Sequence, residues 1–112
     1  MTDVILTRQR VEPGKEERLR EWMAEIRDRE DEARATHEDE GMLTESAFLE
    51  RGDEGEMFLV YYMECEAWEQ VVEAFSNSEH DIDEAHERVM EEVLVDGADV
   101  GEFELLYHLT NR

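Results

Sequence analysis

Residues 41–64, GMLTESAFLERGDEGEMFLVYYME, decide how this chain folds. Met42–Glu50 and Met57–Glu64 carry the β-branched, aromatic and alternating apolar residues of strands. Between them, Arg51-Gly52-Asp53-Glu54-Gly55-Glu56 supplies glycines suited to a turn that needs positive φ. The second strand is apolar on both faces through Phe58-Leu59-Val60-Tyr61-Tyr62, so it belongs inside a sheet with material packed on each side. Glu45 is out of keeping, because plain alternation puts it between Leu43 and Ala47 on one face. A slip of one residue exchanges the faces, so its direction stays open at this level.

Upstream, Val4–Val11 alternates as a first strand, with Val4, Leu6, Arg8 and Arg10 on one face and Ile5, Thr7, Gln9 and Val11 on the other. Pro13 suits the first turn of a helix. Leu19, Trp22, Met23 and Ile26 recur at i, i+3, i+4, i+7, and a weaker stripe runs on through Glu30, Ala33 and His37. One long helix over roughly 13–39, stopped by Gly41, is the expectation. Downstream, Trp68, Val71, Val72 and Phe75 predict a second helix over about 67–75, broken by Ser76-Asn77-Ser78. Asp81 stands three residues before Glu84, as in a capping box. It heads a third helix whose stripe is Ile82, Ala85, His86, Val89, Met90, Val93 and Leu94. Gly97 and Gly101 punctuate a loop, and Phe103–Leu109 predicts the last strand.

The order βαββααβ is the ferredoxin-like α+β plan with its second helix broken in two, as a single domain over residues 1–112. It has a four-stranded antiparallel sheet, helices on one face, and the first and third strands central. The other face keeps Leu, Phe, Tyr and Met side chains, too many to leave in water. Pairing two such faces across a twofold would bury them, and a homodimer is expected.

The chain has 33 acidic residues against 11 basic, a formal charge of -22, and Lys15 is its only lysine. Such self-repulsion opposes a compact state in ordinary salt. At molar salt the Debye length falls to about 3 Å and the repulsion largely disappears. The composition resembles that of proteins from salt-in halophilic archaea. It carries no basic stripe to displace counterions from phosphates, which argues against nucleic acid, and it is repelled by anionic membrane surfaces. The apolar runs are too short to span a bilayer, and the N-terminal residues do not form a secretory signal. With Cys65 as the lone cysteine, a reducing cytoplasm is the expected location.

Several segments resemble those of an uncharacterised family of small prokaryotic proteins. They are Val11-Glu12-Pro13-Gly14-Lys15 with Leu19-Arg20-Glu21-Trp22, Glu40-Gly41, Glu45-Ser46-Ala47-Phe48-Leu49-Glu50, Tyr61-Tyr62-Met63 and Ile82-Asp83-Glu84-Ala85-His86. The resemblance covers roughly residues 4–95 and implies a ferredoxin-like domain of the dimeric α+β barrel superfamily. That superfamily also holds antibiotic-biosynthesis-type monooxygenases, haem-degrading enzymes, stress-responsive barrel proteins and sugar mutarotases. The resemblance brings no activity with it.

Glu45 is the first candidate for chemistry: inside a cavity its pKa would rise and it would serve as a general base, whereas at an edge it is a solvated or ion-paired acid. His86, on the stripe of the third helix, is either a satisfied core histidine or an acid–base group whose tautomer is held by Asp83 one turn earlier. Arg8, Tyr62 and His108 are candidate ligand-binding residues that would join Glu45 if all face one way; the bland reading makes Arg8 a partner for nearby carboxylates. His80 and His86 lack the spacing of a zinc pair, and Asp81-Ile82-Asp83 lacks the glycine of a calcium loop, so no metal site is expected. No nucleophile elbow, phosphate loop, dinucleotide fingerprint or Cys-x-x-Cys is present, and Cys65 between Glu64 and Glu66 has no basic neighbour to activate it.

The expected function is a cytoplasmic homodimer with a small-molecule pocket between sheet and helices, needing no cofactor and working by acid–base or monooxygenase-like chemistry through Glu45, His86 and Asp83. Two rivals remain: a non-catalytic binding or stress-related module with a self-filled cavity, and a haem-binding or haem-degrading protein with His86 or His108 on the iron.

Overall fold

The computed structural model describes residues 2–111. Its elements run β1 (Asp3–Val11), α1 (Glu16–Asp28), α2 (Glu30–Glu40), β2 (Met42–Arg51), β3 (Met57–Cys65), α3 (Trp68–Ser76), α4 (Asp81–Val93) and β4 (Leu94–Asp99). The sheet is antiparallel throughout, in the order β2-β3-β1-β4, so β1 and β3 are the inner strands. β3, apolar on both faces, lies between β1 and β2 as its composition requires.

Register assigns the faces. Glu45, Ala47 and Leu49 of β2 lie opposite Met63, Tyr61 and Leu59 of β3, which in turn lie opposite Ile5, Thr7 and Gln9 of β1. This is the face beneath the helices. Leu59, 2% exposed, packs with Leu19 and Trp22 of α1 and Ile82, Val89 and Val93 of α4. A second cluster joins Met42, Met63 and Cys65 to Val71 of α3, and Tyr61 touches both clusters. The opposite face carries Leu6, Arg8, Phe48, Phe58, Val60, Tyr62 and Glu64 and has no helix over it; Leu6 and Phe48 are exposed there.

Four expectations are corrected. The long first helix is two helices broken at Arg29, whose backbone leaves the helical region at φ -107° and ψ 38°. No proline or glycine marks the break. The gain is tertiary: α1 packs on α4 while α2 turns to reach α3, α4 and β2. Pro13 precedes the helix, in the turn closed by Lys15 N–H donating to Glu12 C=O. The Asp81–Glu84 capping box does not form: α4 begins after His80 with no side-chain cap, and Asp83 is engaged elsewhere.

The last strand is Leu94–Asp99, directly after α4, and Phe103–Leu109 has no strand. Leu94 opposite Val11 and Asp99 opposite Gln9 pair β4 with the C-terminal end of β1. Gly97, at φ 75°, accommodates the irregular stretch between those pairs, and its carbonyl accepts from Gln9 Nε2. Gly41 meets its expectation: at φ 74° it closes α2 in the left-handed conformation.

Candidate functional site

A cavity of about 430 Å³ opens between the two core clusters, floored by β1, β2 and β3 and roofed by all four helices. Its walls are mostly apolar and aromatic, from Trp22, Ile26, Tyr61, Met63, Phe75 and Met90. Among the polar groups that share it are Thr36, His37, Glu40, Glu45, Asp83 and His86, with Glu87 also on the wall. An apolar concavity with a few convergent polar groups is the usual form of a small-ligand site.

Glu45 reaches this cavity from the helix-facing side of β2, in step with Ala47 and Leu49. β2 bulges at its start. The pairing with β3 slips between Met42, opposite Cys65, and Thr44, opposite Glu64. The extra residue, Leu43, is exposed, and Met42 and Glu45 therefore both face the helices. Leu43 and Glu45 are thus not the like-facing pair that alternation predicts. α2 ends at Gly41 and β2 begins at Met42, so His37, one turn before the corner, meets Glu45 just after it. His37 Nε2 and Glu45 Oε1 are 3.1 Å apart. That contact raises the His37 pKa above its ordinary value, with burial opposing.

His86 is oriented by Trp22, not by Asp83. The indole Nε1–H donates to His86 Nδ1 at 2.9 Å. An indole nitrogen only donates, so Nδ1 is the acceptor and a neutral His86 carries its proton on Nε2. Burial pushes the His86 pKa down, while the charges of Glu45 and Asp83 oppose this. Tyr61 and Phe75 stand edge-on to the ring at 6.4 and 6.3 Å between centroids. With Nε2 protonated and Nδ1 taken, His86 keeps no free lone pair for iron unless the Trp22 bond is given up.

Asp83 is a tie between helices. Its Oδ2 accepts from Thr36 Oγ1 of α2 and, at 2.6 Å, from Ser78 Oγ in the turn before α4. It acts on His86 only as a nearby charge. Glu40, the last residue of α2, is 6% exposed, and burial beside Asp83 pushes its pKa up to about 7. Burial likewise raises the Tyr61 phenol well above its ordinary value.

The candidate set therefore divides. Glu45, His86 and Asp83 share the cavity, whereas Arg8, Tyr62 and His108 do not line it. Arg8 and Tyr62 point from the opposite face, since they sit at alternate positions opposite Val60 and Leu6. Arg8 Nε pairs with Glu50 at 2.7 Å, and its guanidinium stacks on Phe58 at 3.6 Å, the bland role in full. The Tyr62 hydroxyl donates to Glu64 Oε2 at 2.8 Å, and His108 Nε2 lies 3.8 Å from Glu64 Oε1. Arg8 and Tyr62 do not converge with Glu45 because alternate strand residues face opposite ways, and His108, outside the strands, lies against Glu64 instead.

His37, Glu40, Trp22 and Tyr61 are the site members that the candidate set omitted. A signal for two of them was present: Ala33, Thr36, His37 and Glu40 recur at i, i+3, i+4, i+7, an inward stripe filled with small and polar residues. Among the described residues no three His, Cys, Asp or Glu side chains are placed to hold a metal ion. Cys65 is fully buried, and burial with the Asp3 carboxylate nearby raises its thiol pKa, the environment of an inert cysteine.

The model of a family of unknown function, DUF6176, matches residues 2–112. The chain belongs to DUF6176. Comparison with curated proteins and with solved structures returns no match. For this DUF6176 member, then, the cavity's own chemistry must carry the functional reading. No helix among the described residues is long and apolar enough to cross a membrane.

Proposed function

We propose that this DUF6176 protein is a cytoplasmic, homodimeric, ferredoxin-like α+β barrel protein that binds a small molecule between its sheet and its helices. The observation that carries the reading is the 430 Å³ cavity with Glu45 and two histidines on its wall. A self-filled module would close this space with its own aromatics. Phe48 and Tyr62 instead lie on the far face, and Tyr61 lines the cavity without filling it. The chemistry this set can carry is proton transfer without a cofactor. Glu45 accepts a proton, His37 shares it at 3.1 Å, and Nε2–H of neutral His86 donates a hydrogen bond to the bound molecule.

The strand order with β1 and β3 inside supports the ferredoxin-like plan, and exposed Leu6 and Phe48 on the face without helices support pairing. Phe48 on that face is 57% exposed, and Leu106, Tyr107 and Leu109 of the terminal segment are 78–83% exposed. Exposed side chains of this size are a usual mark of an interface. The acidic, lysine-poor composition supports a salt-rich cytoplasm.

Fluorescence of phenylnaphthylamine, a neutral apolar probe, tests the cavity in molar KCl. The probe should brighten and shift to the blue with the wild-type protein and with Val95→Trp, which lies outside the cavity. Val72→Trp, on an exposed residue of the cavity wall, should abolish the signal. No brightening with the wild type, or equal brightening with both variants, overturns the reading.

A further inference from the structure

The polar groups of the cavity are unequally engaged. Asp83 holds two hydroxyl donors, and Glu45 holds His37. Glu40 is different: it is 6% exposed and lines the cavity, yet no hydrogen bond or ion pair reaches its carboxyl group from the described residues. Its oxygens are not sealed in the protein, since no fully enclosed side-chain oxygen lacks a partner. They therefore touch open space. Glu40 and Thr36 also border a neighbouring polar recess lined by Asp39, Ser78 and His80; Asp83, His37 and Glu45, which together with Asp39 act on Glu40 electrostatically, line the aromatic cavity.

A carboxyl group withdrawn from water without a donor is costly, and a ligand that brings the donor or a positive charge relieves that cost. Trp22, Tyr61 and Phe75 supply aromatic surface for an apolar body. A chain of net charge -22 attracts cations and repels anions. We propose that the cavity takes a small organic cation, an arylalkyl or alkyl ammonium, with its charged end on Glu40 and its apolar body against Trp22, Tyr61 and Phe75. This rests on the cavity being a small-molecule site and names the class of molecule it takes.

Binding such a cation holds Glu40 as carboxylate and expels its proton, so affinity rises with pH up to about 7 and levels off above. The other groups facing Glu40 are His37 and Asp39 of α2, Glu45 of β2, Asp83 of α4 and His80 before it. Loss of a proton from either histidine acts in the same direction, so pH alone does not isolate Glu40. A variant does.

Calorimetry in molar KCl, where surface attraction is screened, compares phenethylammonium with phenethyl alcohol, its neutral counterpart of nearly the same shape. The wild type should favour the cation by about tenfold or more. Glu40→Gln should remove that preference while alcohol binding and the near-UV circular dichroism stay unchanged. Equal or tighter binding of the alcohol by the wild type, or undiminished cation binding by Glu40→Gln, overturns the assignment and leaves the cavity reading standing. Failure of both ligands together with the neutral fluorophore overturns the two at once.

Discussion

The indole N–H of Trp22, on α1, donates to Nδ1 of His86, on α4, across 2.9 Å. This bond joins two helices through residues 64 positions apart in sequence and fixes the tautomer of a histidine whose pKa burial depresses. Trp22→Phe keeps most of the packing and removes the donor. His86 should then protonate more readily, with its pKa moving up by less than about one unit, the worth of one hydrogen bond. Histidine titration by NMR measures it; an unmoved His86 pKa would show that the bond does not govern the tautomer.

Glu40 makes stability depend on pH in a definite direction. Its pKa rises from 4.5 to about 7 in the folded state, so between those values the folded protein holds a proton that the unfolded chain has lost. The associated stability is present in full below pH 4.5 and is lost as pH rises to about 7. Glu40→Gln should abolish this loss. The variant should therefore gain on the wild type across that window, by on the order of 3 kcal/mol at most for a shift of 7 − 4.5 = 2.5 units. Urea unfolding at constant KCl from pH 4.5 to 8 reads the difference, and a pH-independent gap contradicts the assignment.

The His37–Glu45 pair works over a different window. A histidine with a raised folded pKa contributes stability that is complete below its unfolded value of 6.5 and lost as pH rises through the folded value. Glu45→Gln should lower the His37 pKa and cost a few tenths to about 1 kcal/mol at pH 6, the screened worth of a partly exposed pair. The cost should vanish well above the folded pKa. If the His37 resonance titrates identically in both proteins, the contact is absent in solution.

Homodimerisation predicts a light-scattering mass of twice 13.2 kDa in molar KCl at micromolar concentration. Phe48→Asp combined with Leu106→Asp places charges on the face without helices and on the terminal segment. It should halve that mass without changing the far-UV circular dichroism. A wild-type mass of one chain removes the dimer.

Leu59, at 2% exposure, sits where the sheet meets α1 and α4. Leu59→Ala should cost about 2–5 kcal/mol, the usual range for a buried leucine. Val60→Ala, one position along on the half-buried face, should cost less, and chemical denaturation separates the two.

The sequence by itself determined the alternation of β1, β2 and β3, the inner place of β3, the stripes of the helices and the stop at Gly41. Each of these is a local period or a local backbone preference, written within one element. The tertiary structure alone decided four other matters. Arg29 breaks the first helix with no residue that forbids continuation, because α2 gains contacts with α3, α4 and β2. Leu94–Asp99, not the more apolar Phe103–Leu109, forms the last strand on the Gln9–Val11 end of β1, because it follows α4 directly and is already adjacent. The bulge turns Leu43 outward against plain alternation, while Glu45 stays inward in step with Ala47 and Leu49. His86 takes its orientation from Trp22 although Asp83 is nearer in sequence, because Thr36 and Ser78 already occupy Asp83. Periodicity specifies what an element can bury; which partner it meets is settled by hydrogen bonds and packing between residues far apart in the chain.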